Sequence, residues 1–269
     1  MLEVMPEVLS EAELAELRAA VQALEGSTFA SRLTNVLGRQ VEALGRALPA
    51  PARKIIAHAS EAALRAALRV AVRTIDSKSK PKAARGMHKA LAAASGAVGG
   101  AFGLAAVPVE LPVSTTIMLR SIAQIAREEG EDLAQPESAL ACIEVFALGG
   151  RARGDTAIES SYFAVRGVLA QTVSESARFI LQRGLADETA PVLVRLVAQV
   201  AARFGVVVSQ KLAAQAVPVL GAMGGAVVNA AFIEHFQTIA RGHFTVRRLE
   251  RLRGADVVRF DYERLRNEV

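Results

Sequence analysis

Twenty consecutive residues without a charge, Ala90 to Val109, carry Gly96, Gly99, Gly100 and Gly103 at spacings of three and four. On a helix that spacing lines the glycines into one stripe bare of side chains, against which another backbone can lie unusually close. Pro108 and Pro112 predict a turn after the stripe, followed by a more polar helix ending near Arg127. A second stretch of this kind, Leu212 to Ile233, holds Gly221, Gly224 and Gly225. Together with abundant alanine and leucine, the two stretches predict an all-α, multi-helix bundle built around two glycine-rich helical hairpins.

Each stretch is long enough to cross a bilayer, which needs about 20 apolar residues. Insertion, however, is driven by Leu, Ile, Phe and Val, and the first stretch offers only Leu91, Val98, Phe102, Leu104, Val107 and Val109. The second contains Gln215, Pro218 and Asn229. This composition weighs against firm insertion. It fits shallow, reversible contact with a membrane surface, or close packing inside a soluble bundle.

The chain divides into an N-terminal helical region (1–80), a glycine-rich helical domain (81–254) and a short C-terminal tail (255–269) whose structure the sequence leaves open. Ser10 and Glu13 form a capping box, and Leu9 and Leu14 the hydrophobic staple across it. Leu14, Leu17, Val21 and Leu24 then make an apolar stripe that Gly26 should end. A second helix is expected from Thr28 to Leu48, and a third from Ala52 to Ile75. Further on, Pro136 opens a helix that Gly149 and Gly150 stop, and helices follow over Thr156–Gln182 and from Pro191 through Val208. The acidic, amphipathic N-terminus has no basic or continuous apolar leader, so the expected location is the cytoplasm or the cytoplasmic face of a membrane.

The net charge of +5 is clustered. Arg65, Arg69 and Arg73 form a ridge at four-residue intervals, Lys78, Lys80 and Lys82 lie in the linker DSKSKPKAARG, and Arg247, Arg248 and Arg251 lie in FTVRRLERLRG. Such segments are either solvated faces or contacts for an anionic membrane surface or a membrane protein. With no recognition module and few aromatics, nucleic acid is not an expected partner.

Catalytic signals are sparse. Glu110 is the sole charge between Lys89 and Arg120, and Glu144 the sole charge between Glu137 and Arg151. With Thr115, Thr116 and Arg120, these two acids are the candidates for a polar cleft, either a structural network or the site of a hydrolase. His58, His88, His235 and His243 show no metal-ligand spacing, and Cys142 stands alone in an apolar run, so neither a metal nor a cofactor is expected. No nucleophile elbow, phosphate loop or dinucleotide fingerprint is present.

The run GAVGGAFGLAAVPVELPVSTTIMLRSIAQIAREEGEDL, the helix ESALACIEVFALGG and the segment VPVLGAMGGAVVNAAFIEHFQTIARGHFTVRRLE together resemble the bacterial EcsC protein family. The resemblance covers about Ala83 to Gly254 and leaves the first three helices outside. It brings no catalytic residues. Because the namesake of the family is associated with components of an ABC transport system, the resemblance implies a role near membrane transport or secretion. The leading reading is therefore a non-enzymatic, membrane- or transporter-associated accessory protein. An enzyme working at Glu110, Arg120 and Glu144, and a soluble bundle holding an apolar ligand, are the alternatives.

Overall fold

Ser10 begins the first helix in the way its spacing to Glu13 predicts. The Ser10 N–H donates to Glu13 Oε2 at 2.8 Å, and Ser10 Oγ accepts from the Glu13 N–H at 3.3 Å. The computed structural model describes residues 8–26, 28–37, 49–75, 107–150, 161–183, 189–215 and 221–268. Among these residues there are nine α-helices and no strand. They are α1 (Glu11–Val21), α2 (Phe29–Leu37), α3 (Ala50–Ile75), α4 (Val107–Glu128), α5 (Pro136–Leu148), α6 (Tyr162–Arg183), α7 (Pro191–Gln215), α8 (Gly221–Arg253) and α9 (Ala255–Arg266).

Several boundaries differ from expectation. Gly26 does not end an α-helix; the first helix passes into a π-helical turn, Gln22–Gly26, the kind of irregularity that often marks a functional site. Pro108 and Pro112 lie inside α4 rather than in a turn before it. Pro112 has no N–H to donate, and two hydroxyls fold back onto this weakened start. Ser114 Oγ donates to Leu111 O at 3.2 Å and Thr116 Oγ1 to Pro112 O at 2.8 Å. The tail is helical, as α9. The glycines of the first stretch, Gly96, Gly99, Gly100 and Gly103, lie outside the described residues, as do Lys78, Lys80, Lys82 and His88. Of the second stretch, Gly221, Gly224 and Gly225 open α8.

The middle of the bundle is α7. Leu193, Leu196, Val200, Phe204 and Val207 follow one buried stripe at helical spacing, and α7 packs against α2, α3, α5, α6 and α8. It is the one helix among the described residues long and apolar enough to cross a membrane, with a mean hydropathy of 1.8 over its best window. Here its apolar stripe is covered by protein. Phe29, Phe146, Phe204, Phe232 and Phe236 interlock around it with ring centroids 5.2–6.0 Å apart. Each fully buried ring of this size contributes about 1.5–3 kcal/mol. A second apolar cluster joins α1 to α6, α8 and α9 through Leu17, Val21, Tyr162, Leu249, Val258 and Tyr262.

Helix directions decide which chain segments meet. Ser121 with Gln237, and Glu131 with Arg247, share one offset of 116 residues, so α4 and α8 run the same way in common register. That register sets Val227 level with Leu111. In the opposite direction, α7 brings Lys211 to Glu110 in the first turn of α4. Ser60 of α3 lies beside Gly205 of α7, and farther along α3 Val70 and Ala71 line one cavity with Leu119 and Ala123 of α4, so α3 runs with α4. The starts of α3, α4 and α8 and the end of α7 therefore share one end of the bundle. The described parts of the two stretches nearest that end are residues 107–109 and 221–225.

Candidate functional site

The acids and the arginine singled out from sequence do not meet. Glu110 accepts from Lys211 Nζ through both carboxylate oxygens, at 2.9 and 3.1 Å. Lys211 stands on the buried stripe of α7, where the apolar periodicity delivers a lysine to the core, and its ammonium also lies 4.8 Å from the Phe232 ring centroid. Burial pulls its pKa down, against the attraction of Glu110. Arg120 is exposed, at the rim of an apolar cavity of about 30 Å³ shared with Leu119, Ala123 and Cys142. Glu144 is buried on α5 among another set of charges. Thr116 is occupied with its own helix, and Thr115 Oγ1 is buried with no hydrogen-bond partner among the described residues. Among the described residues no ion pair or hydrogen bond joins Glu110, Arg120 and Glu144. Glu110 takes its partner from α7, Arg120 is exposed on α4 and Glu144 lies on α5, because helix packing, rather than chain proximity, chose their partners.

Around Glu144 a second polar cluster forms from residues that carried no motif. Tyr162 Oη shares a hydrogen bond with His243 Nδ1 at 3.0 Å and accepts from Arg166 Nη1 at 3.1 Å. Arg166 grips Glu250 through two nitrogens, at 2.8 and 3.1 Å. Burial raises the Glu144 carboxyl to about 7, although the Arg166 and Arg247 charges pull it down. Burial and the same two arginines hold His243 well below its ordinary value, which keeps the ring neutral. His243, Arg247 and Glu250, at spacings of four and three on α8, were the available signal, one helix face carrying charge inward. Cys142 is fully buried and its thiol is pushed up to about 12 by burial, so it packs as a small apolar group.

The arginines of the C-terminal basic run face acids. Arg247 donates to both oxygens of Glu131 at 2.8 and 3.1 Å, and Arg251 adds a further bond to the same carboxylate. Burial alone would raise the Glu131 pKa, but the hydrogen bonds from Arg247 and Ser138 outweigh it and hold the acid at about 2. Arg248 pairs with Glu129 and Glu16, at 2.7 and 2.8 Å. These three arginines tie α8 to α1 and to the loop after α4 instead of forming a free basic surface. Arg65 and Arg69 are exposed on α3, with Arg65 paired to Glu61 at 3.1 Å, and the side chain of Arg73 lies outside the described residues.

Apolar side chains are exposed at several places among the described residues, Val168, Leu181, Leu252 and Phe260 among them, and one group lies at the end of the bundle where α3, α4 and α8 start. There Val109 is 73% exposed, Val113 50%, Val227 46% and Ile55 40%. Val109 and Val113 are four apart and share a face of α4, and Arg53 and Lys54 are exposed beside Ile55. Among the described residues no group of three or more His, Cys, Asp or Glu could hold a metal ion.

The sequence matches the family described as the EcsC protein family along residues 11–249, which takes in the first three helices as well as the glycine-rich part. No curated protein and no solved structure matches the chain.

Proposed function

The chain belongs to the EcsC protein family, and from that premise we propose that it is a non-catalytic accessory protein that docks on an anionic membrane surface. Docking uses the end of the bundle where α3, α4 and α8 start, and it places the protein beside a membrane partner such as a transport or secretion system. The observation that carries this reading is the exposure of Val109 and Val113 on one face of α4, level with Val227 and at the same end as Ile55, Arg53 and Lys54. Apolar side chains that enter the interface, flanked by cations that meet anionic headgroups, are the two contributions a peripheral membrane protein combines. Of the two acids that might have served an enzyme, Glu110 is engaged in an ion pair with Lys211, and Glu144 is buried with its carboxyl raised to about 7 by burial.

Flotation of the full chain with vesicles tests the reading. Binding to vesicles rich in phosphatidylserine is expected, with weaker binding to neutral vesicles and loss as salt rises. A V109D/V113D variant should weaken binding by at least about tenfold, the equivalent of 1.4 kcal/mol. The native chain has no tryptophan, so V113W supplies a single fluorophore whose emission should shift blue and be quenched by brominated lipid. A folded protein that never floats, or a tryptophan that stays in water, would overturn the proposal.

A further inference from the structure

Small side chains leave space where α3, α4 and α5 meet. Ala71 of α3, Ala123 of α4, and Ala139 and Cys142 of α5 line the cavity at whose rim Arg120 stands. The cavity admits the centres of water-sized groups over about 30 Å³ and holds about 300 Å³ of empty space in all, part of it open to solvent. At about 30 Å³ for a water-sized group such as a methylene, that is room for an apolar tail of roughly four to six carbons. Ordered water would need several polar partners here. The lining offers few, since the Cys142 thiol already donates to Ser138 O at 3.5 Å.

Arg120 is the one charged residue among the described residues that line this cavity. It is exposed, and no hydrogen bond or ion pair joins its guanidinium to another group among the described residues. Its planar fork of donors matches a carboxylate through two parallel hydrogen bonds. A second cation stands behind it. Arg127 is seven residues farther along the same stripe of α4. Burial acts most on the Cys142 thiol, followed by the charges of Glu131, Arg247 and Arg127, so Arg127 also lies near the cavity. Glu131 is already paired with Arg247 and Arg251, whereas Arg127 has no acid of its own among the described residues.

The cavity thus joins an apolar interior to an unpartnered guanidinium at its mouth. A free phosphate or a dicarboxylate would leave the interior empty. An aliphatic alcohol or amine would fill the interior and leave Arg120 without an anion. Both halves are met together by a short aliphatic carboxylate.

We propose that this cavity binds a small monocarboxylate, with its alkyl tail between α3, α4 and α5 and its carboxylate on the Arg120 guanidinium. The site is separate from membrane docking. Arg120 lies eleven residues beyond Val109, about 16 Å along α4 at 1.5 Å per residue.

The test is calorimetric titration of the full chain at pH 7.5 with butanoate, pentanoate, hexanoate, hexanol and hexylammonium, with the methyl groups followed by NMR. Hexanoate should bind saturably, with contacts from its chain to the Ala71, Ala123 and Ala139 methyl groups. Each methylene from butanoate to hexanoate should tighten binding about fourfold, the equivalent of about 0.8 kcal/mol. Hexanol should bind about fivefold more weakly or worse, and hexylammonium should not bind. R120E changes an exposed, unpaired side chain and should keep the fold; it should weaken hexanoate by about tenfold or more and leave hexanol unchanged. A123L should weaken both by filling the space, and if it fails to fold, R120E still decides. Hexanoate binding that survives R120E, missing methyl contacts, or equal binding of hexylammonium would overturn the site. Tighter binding of a short peptide ending in leucine than of hexanoate would refute the free acid as ligand and assign the cavity to the C-terminus of a protein.

Discussion

Replacing Glu110 by Gln leaves the Lys211 ammonium in the core without its counter-ion. The lysine side chain is only 1% exposed and its partner 11%, and both carboxylate oxygens are within 3.1 Å of Nζ. Breaking one side of a buried pair of this geometry costs about 3–5 kcal/mol, because the surviving charge loses its compensation. For a chain of this size each kcal/mol moves the melting temperature by about 2–4 °C, so a fall of about 10 °C is expected. Urea unfolding followed by circular dichroism measures the loss, with an unchanged m-value showing that the same surface is exposed. Replacing both partners, as E110L/K211M, should recover most of it, since a well-packed apolar pair is often as stable as the ionic one. The pH dependence has a definite sign. Burial lowers the Lys211 pKa, so the unfolded chain binds more protons below the ordinary lysine value of 10.5, and the deficit of E110Q should shrink as pH rises toward it. An E110Q protein within about 1 kcal/mol of the native one would refute a structural role and return Glu110 to the list of functional acids.

Two further outcomes follow from the packing and the buried acids. A Cβ at Gly150 would lie 2.2 Å from Arg203 O, a backbone atom that cannot step aside, so G150A should destabilise by about 2–4 kcal/mol in thermal or urea unfolding; a loss under 0.5 kcal/mol would mean that α5 and α7 are farther apart. Glu144 titrates near 7 when folded against 4.5 when unfolded, so its contribution is whole below pH 4.5 and lost as pH rises through 7. Glutamine mimics the protonated acid, and E144Q should match the native protein at pH 4.5 but exceed its stability at pH 8 by on the order of 3 kcal/mol; an equal pH profile for the two proteins would show that Glu144 is ionised when folded.

Much of the helical plan was legible because it rests on contacts a few residues apart. The Ser10–Glu13 capping box, the start of α5 at Pro136 and its end at Gly149 all follow from local rules, and the structure has each of them. The fold class follows in the same way from apolar periodicity and the scarcity of strand signals. Lys211 was legible in principle, as the one lysine in phase with the buried stripe of α7, but its partner was not. That partner lies 101 residues away, and nothing in the chain between them specifies the match.

The same holds for Arg247, which reads as one more cation in a basic run until Glu131, 116 residues back, is set against it. The π-helical turn was hidden for a related reason. Its extra residue is held in place by what Glu25 meets, the Tyr162 N–H and the Tyr262 hydroxyl, and both come from distant helices. Gly149 and Gly150 read simply as a helix stop, yet their lack of side chains is demanded by Phe236 and by the backbone of α7. By itself, then, the sequence determined which segments are helical and which faces are apolar, since periodicity and capping act within a turn or two. Which charges pair, which glycines are crowded and where a cavity remains were decided only in three dimensions, because these depend on the register in which helices far apart in the chain pack together.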